Sequence, residues 1–277
     1  MSESLPLFVD AETLQARLGA PDIQVVAVDS ASDYANAHIP GALQITMADF
    51  TASDAPVAGL LPDDDALRDV FSDTGLRNDA HIVAYDRAGD GQAARLLYTL
   101  DAMGHSAISL LDGGLAAWHQ AGLPLENGAP QAGASRFTVE RQPERIADRE
   151  WIKTHLDDPD TGFLDVRSAA EYAGQDVRSA RGGHIPGAVS LDWNLLKGAN
   201  GRLRPRSELL ELVASHDVQS DREIVNYCQS HVRSSYSYLV LKYLGFDKVR
   251  GYPGAWSDWG NADDTPVSAN TDDANGQ

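Results

Sequence analysis

His38-Ile39-Pro40-Gly41-Ala42 recurs letter for letter as His184-Ile185-Pro186-Gly187-Ala188, and the fold is decided by this repeat. Upstream of each copy stands an apolar run closed by aspartate, Val25-Val26-Ala27-Val28-Asp29 and Gly162-Phe163-Leu164-Asp165, each followed by a tyrosine, Tyr34 or Tyr172. Downstream, Ile82-Val83-Ala84-Tyr85-Asp86 corresponds to Ile224-Val225-Asn226-Tyr227-Cys228. A glycine turn and a tryptophan close each half, Gly113-Gly114-Leu115-Ala116-Ala117-Trp118 and Gly251-Tyr252-Pro253-Gly254-Ala255-Trp256. Matched landmarks are separated by 146 residues at the repeat, 142 at Asp86/Cys228 and 138 at the tryptophans. So nearly constant a spacing, far longer than a solenoid period, means a duplicated domain.

Within each half, short apolar runs alternate with segments of helical period. Leu96, Leu97, Leu100 and Met103 mark one helix, and Leu239, Val240, Tyr243 and Leu244 mark its counterpart. Strands alternating with helices predict an α/β domain, a mainly parallel sheet with helices on both faces. The expected domains are 5–124 and 143–262. Between them, 125–142, rich in Gly, Pro, Ala and Ser, reads as a linker, and the small polar tail 263–277 reads as disordered.

The 277 residues are 43% hydrophobic and 23% charged, the balance of a globular protein. A formal charge of −19, with 31 Asp against 10 Glu and only 4 Lys against 18 Arg, argues against nucleic acid as a partner. It suits either a high-salt cytoplasm or an ordinary acidic protein. One cysteine rules out an intrachain disulfide framework and thiolate zinc clusters. Met1-Ser2-Glu3-Ser4-Leu5-Pro6 lacks a basic region before an apolar core, and no apolar stretch reaches membrane-spanning length. The expectation is a cytoplasmic protein without a membrane partner.

That one cysteine, Cys228, ends a buried-strand pattern in Ile224-Val225-Asn226-Tyr227-Cys228-Gln229-Ser230-His231-Val232-Arg233-Ser234-Ser235. Ser234-Ser235 then signals a helix start. A strand turning through a short loop into a helix leaves backbone N–H groups aimed at the loop. Together with the helix dipole and the Arg233 guanidinium, these would stabilise a thiolate and an anion beside it. His38 and His184 lack ligand-spaced partners and read as structural; no metal site and no cofactor are expected. Trp118 and Trp256 read as core or anchoring residues.

With these landmarks in place, the chain from residue 5 to about 262 resembles the tandem-domain rhodanese family of thiosulfate and 3-mercaptopyruvate sulfurtransferases. The two His-Ile-Pro-Gly-Ala motifs, the Gly-Gly-x3-Trp type endings and a single cysteine confined to the second half carry the resemblance. It implies two tandem rhodanese-like domains. Cys228 would attack the sulfane sulfur of a small anionic donor, hold it as a persulfide and pass it to cyanide or a thiol, which could be that of a small redox protein. Cys228 and Arg233 would be catalytic. Gln229, Ser230, His231, Val232 and Ser234 would bind substrate, with Arg167 and Arg178 as further contacts. Asp86 cannot carry sulfur, so the first half would be catalytically silent. Phosphatases of this fold use Cys-x5-Arg, and Cys-x4-Arg gives a tighter ring that favours sulfur over phosphate. A persulfide carrier or interaction module is the remaining alternative.

For the donor, Gln229-Ser230 matches the mercaptopyruvate type at Ser230 but lacks its glycine. Glu171 stands ahead of Tyr172 where that type places a carboxylate-binding arginine, and is expected to repel a keto-acid. Arg178 matches a second such arginine only loosely, and Arg167 could equally hold the fold through an ion pair. Thiosulfate is the first expectation and mercaptopyruvate the second. His231 could tune the thiolate, assist the acceptor or face solvent.

Overall fold

The computed structural model describes residues 5–89, 91–129 and 133–269. These fall into two compact units. Unit 1 takes the residues up to Ala52, Leu61–Pro143 and Lys197–Arg204; unit 2 takes Ser53–Leu60, Glu144–Leu196 and those from Pro205 onward.

Unit 1 is built from β1 (Phe8–Val9), α1 (Ala11–Arg17), β2 (Ile23–Val28), α2 (Ala31–Asn36) and β3 (Leu43–Ile45). The short strands β4 (Ala52–Asp54) and β5 (Val57–Leu60) pair with each other, and the chain returns through α3 (Asp64–Thr74), β6 (His81–Tyr85), α4 (Gln92–Ala102), β7 (Ile108–Leu111) and α5 (Gly114–Gln120). Its five-stranded sheet runs β1-β7-β6-β2-β3, every pair parallel. Strand residues alternate between faces. Val25, Ala27, Val83 and Tyr85 form one core with Ala11 and Leu14 of α1 and Leu115 and Trp118 of α5. The alternate residues Val26, Ile82 and Ala84 are buried too, and α4 packs on β2, β6 and β7.

Unit 2 repeats this plan with α6 (Arg149–His155), β8 (Thr161–Asp165), α7 (Ala169–Tyr172), β9 (Val189–Ser190), α8 (Arg206–Ser215), β10 (Glu223–Tyr227), α9 (Arg233–Leu244), β11 (Val249–Gly251) and α10 (Ala255–Trp259). Its four strands run β11-β10-β8-β9, again all parallel.

The repeated pentapeptide is a corner brace, built the same way twice. His38 stacks on Tyr34 at 3.8 Å and His184 on Tyr172 at 3.7 Å. Each imidazole Nδ1 bonds that tyrosine's carbonyl, and each tyrosine hydroxyl donates to the carbonyl of Ala42 or Ala188. The amides of Ile39 and Ile185 donate to the hydroxyls of Tyr85 and Tyr227. Both histidines are therefore occupied by the fold.

Two sequence equivalences shift, and two segments are more ordered than their composition suggests. Tyr85 pairs with Ala27 and Tyr227 with Asp165, so Asp165 matches Ala27 rather than Asp29. Trp118 Nε1 donates to Pro124 O at 2.8 Å and Trp259 Nε1 to Pro266 O at 2.8 Å, so Trp259, not Trp256, is its counterpart. The expected linker 125–142 is integrated through its described part: Phe137 is buried against Phe71, and Gln142 N bonds Ala102 O. Residues 263–269 are likewise packed, with Thr265 buried and Ser268 bridged to His184; 270–277 lie outside the described residues. Burial of a few side chains and backbone pairing fix segments whose composition alone reads as loop.

Candidate active site

β10 is an apolar run covered on both edges by β8 and β11, and it delivers Cys228 at its C-terminal end. Below the turn, Asn226 is fully buried and its amide donates to Ser234 O at 2.8 Å and Ser237 Oγ at 3.1 Å. That side chain ties the strand to the first turn of α9. On the other side, the amides of Trp256 and Ser257 hold the carbonyls of Cys228 and Gln229, each at 2.9 Å. The loop is fixed before any ligand arrives.

Cys228 is a free thiol, 1% exposed, in front of the α9 N-terminus. Ser234 Oγ donates to its Sγ at 3.4 Å and lies 2.7 Å from Nδ1 of His231. His231 is fully buried, which removes the expectation that it faces solvent. Its φ of 58° lies in the left-handed region that favours glycine. Ser235 Oγ donates to its carbonyl at 2.5 Å and locks that turn.

Arg233 meets Glu171 in a two-pronged pair, Nη1–Oε2 2.7 Å and Nη2–Oε1 2.8 Å. Glu171 is 1% exposed, and its carboxylate also accepts from Ser168 N as part of a capping box. Burial alone would raise its pKa, but the bonds from Arg233 and Ser168 and the charges of Arg233 and Arg178 outweigh it and leave it at about 2. Burial disfavours the Arg233 cation, yet Glu171 and the Cys228 sulfur together hold its pKa above the usual range. The expectation that Glu171 presents a repelling charge to a carboxylate is therefore corrected. Its charge is neutralised by Arg233, and Glu171 is the anchor of that arginine.

The remaining expected residues separate by position. Gln229 Nε2 donates to Arg178 O at 3.3 Å and Ser179 Oγ at 3.1 Å, so that amide holds the preceding segment. Val232 is the N-cap residue of α9 and makes no side-chain cap bond. Half-exposed Arg178 bonds Asp176 at 2.8 Å and approaches Glu171 at 3.7 Å. Arg167 is 1% exposed, bonds both Asp165 oxygens and Gly183 O, and lies 4.4 Å over the Trp256 ring. Its guanidinium is taken up by the fold, so the ion-pair role replaces the expected donor contact. Ser230 lies under the β4–β5 arm: a Cβ on Gly59 (φ 78°) would overlap its carbonyl, and Ala58 N donates to Ser257 Oγ at 3.0 Å. Sequence reasoning missed Asn226, Gly59 and the anchoring role of Glu171. Only the last left a signal, the Ser168-x-x-Glu171 capping box.

The matching loop in unit 1 is occupied from within. Asp86 stands at the cysteine position, and its carboxylate accepts from Gly89 N at 2.5 Å, Ala93 N at 3.0 Å and Gly91 N at 3.2 Å. Leu115 N and Ala116 N hold the carbonyls of Asp86 and Arg87, as Trp256 and Ser257 do in unit 2. Gly89, the counterpart of His231, has φ 67°. Among the described residues, no group of three or more His, Cys, Asp or Glu could hold a metal ion.

A doubled parallel α/β unit with a buried thiol between strand and helix defines a class, and the chain belongs to the rhodanese family: the Rhodanese-like domain matches residues 10–121 and 148–262. It is 38% identical over 264 residues to a thiosulfate sulfurtransferase of Azotobacter vinelandii, covering 95% of this chain and 97% of that one. A 3-mercaptopyruvate sulfurtransferase of Escherichia coli K12 is 29% identical over 273 residues, 94% of this chain and 97% of that one. The crystal structure of SseA from Escherichia coli, described as a 3-mercaptopyruvate sulfotransferase of the rhodanese fold, superposes with a TM-score of 0.82 at 28% identity, over 91% of this chain and 99% of that one.

Proposed function

We propose that this protein is a thiosulfate sulfurtransferase working through a persulfide on Cys228. The observation that carries the reading is the free thiol at the head of α9 beside Arg233, in a loop whose twin in unit 1 binds a carboxylate on three backbone amides. Such a loop is built for an anion. In the first step the Cys228 thiolate attacks the outer sulfur of thiosulfate. The new Sγ–S bond forms, the old S–S bond breaks, and sulfite leaves with its electron pair. In the second step cyanide or a thiol attacks the bound sulfur and the Cys228 thiolate is the leaving group. Residues 229–234 line this loop, and Arg233 balances the negative charge on the two sulfurs.

The donor assignment follows the thiosulfate sulfurtransferases of Azotobacter vinelandii and Pseudomonas aeruginosa, each 38% identical to this chain against 29% for the mercaptopyruvate enzyme of Escherichia coli K12. No helix among the described residues is long and apolar enough to cross a membrane, and with a single free cysteine a reduced, cytoplasmic setting fits.

Cys228→Ser tests the nucleophile. A hydroxyl changes little volume but cannot hold sulfane sulfur. After thiosulfate treatment, intact-mass analysis is expected to show one added sulfur on the wild type and none on the variant. Sulfur on the variant would place the nucleophile elsewhere. Initial rates with thiosulfate and mercaptopyruvate, each against cyanide and a dithiol, test the donor; a preference for mercaptopyruvate would overturn that assignment.

A further inference from the structure

We propose that Ser234 and His231 form a proton relay that ionises Cys228, an inference that rests on the sulfur-transfer reading above. A buried thiol must lose its proton before it can attack, and 1% exposure gives it little direct access to solvent. The charged groups facing it cannot take that proton. Arg233 is a pure donor, and Glu171, which faces Arg233 from α7, has both oxygens on that guanidinium. Arg178, the next charge outward, is a cation on Glu171.

Ser234 is the group that touches both sides. Its hydroxyl is 3.4 Å from Sγ and 2.7 Å from Nδ1 of His231, and all three residues are buried. A hydroxyl accepts and donates at once. In the thiol form the S–H points to Ser234 Oγ and the hydroxyl proton to Nδ1. The S–H bond breaks as a new O–H bond forms on Ser234, and the original O–H proton passes to Nδ1. The hydroxyl is left donating to the thiolate sulfur, the direction the 3.4 Å contact takes in the structure. The products are a thiolate, an intact hydroxyl and an imidazolium. The proton returns by the same route once the acceptor has taken the sulfur and the Cys228 thiolate is released.

The backbone supplies a second, independent observation. His231 holds φ 58°, a conformation its unit 1 counterpart reaches with glycine, Gly89 at 67°. A side chain there carries a steric cost in a position glycine would occupy freely. The imidazole is kept at that cost, and the turn aims it at the Ser234 hydroxyl. Asp86 in unit 1 has no thiol proton to lose, and its loop has glycine at that position.

The test is the pH profile of single-turnover persulfide formation from thiosulfate, followed by intact mass from about pH 5.5 to 9. In His231→Asn the amide can occupy the Nδ1 position and tolerates positive φ, but it takes no proton. An ordinary thiol is only a few per cent thiolate near pH 7, and in the variant Arg233 and the loop amides still offset part of that deficit. The variant is therefore expected to run roughly ten- to thirtyfold slower there and to approach the wild-type rate as pH rises. Ser234→Ala is expected to show the same profile and Ser234→Thr to restore it. A rate lowered equally at every pH would mean packing alone and overturn the relay. So would wild-type profiles in both His231→Asn and Ser234→Ala while Cys228→Ser takes up no sulfur. A wild type that never acquires sulfur would instead sink the sulfur-transfer reading itself.

Discussion

Glu171 and Arg233 meet through two hydrogen bonds with the carboxylate almost wholly out of solvent, so neither side chain can be changed alone. Leaving the Arg233 cation without its anion is expected to destabilise the protein by about 3–5 kcal/mol. Glu171→Gln should lower the unfolding midpoint at pH 7 and slow persulfide formation, because the guanidinium loses its seat beside the sulfur. The pH dependence has a definite sign. The folded-state pKa of Glu171 is depressed to about 2, so its contribution is complete above the ordinary carboxyl range and is lost as pH falls towards 2. The stability gap between wild type and variant, measured by denaturant unfolding, should narrow between pH 7 and pH 3. A gap that stays constant would mean that the carboxylate is not held by Arg233. Placing arginine at 171 would set a second cation against Arg233, so that swap reports on folding and not on donor choice.

The β4–β5 arm acts on the site as an element. Residues 53–60 belong to unit 2, where Ala58 and Ser257 exchange two hydrogen bonds and Gly59 lies on the Ser230 carbonyl. Gly59→Ala would push against the backbone of the cysteine loop. A displacement of even about 1 Å near reacting atoms can lower a rate up to a hundredfold. Gly41→Ala is the control, since Gly41 has a similar φ of 71° but nothing within 4 Å of a Cβ. Both variants should carry comparable backbone strain, on the order of 1–2 kcal/mol. Only Gly59→Ala should slow sulfur uptake by Cys228. Equal kinetics in the two would show that the arm does not position the loop.

At the scale of the molecule, the two units each borrow a segment from the other half of the sequence. Unit 1 incorporates Lys197–Arg204, in which Lys197 Nζ donates to Gly89 O and Leu203 N donates to Asp112 Oδ1 at 2.8 Å. Unit 2 incorporates Ser53–Leu60. Separately expressed halves, 1–143 and 144–277, would each lack a segment that braces a loop. The second half alone is expected to take up sulfur poorly and to recover when the first half is added, as read by intact mass after thiosulfate. Sulfur uptake by 144–277 alone at the full-chain rate would show that the borrowed segment is dispensable.

The duplication, the parallel α/β class and the place of the one cysteine between a strand and a helix were legible in the chain itself. They depend on local signals: a repeated pentapeptide, apolar runs ending at Asp86 and Cys228, and one cysteine followed by arginine and a helix start. Tertiary structure alone decided which partner each polar group takes. The Cys-x4-Arg spacing sets Arg233 in the cysteine loop, but nothing in the sequence decides whether Arg167 meets a donor or an ion-pair partner, because that depends on carboxylates brought close by strand pairing. Pairing of β8 with β10 places Tyr227 beside Asp165, and Arg167 closes on that carboxylate two residues away. Glu171 and Arg233, 62 residues apart, meet only when α7 and α9 are in place. The left-handed turn at His231 and the lodging of 53–60 in unit 2 are decided the same way, by contacts that exist only once the chain is folded.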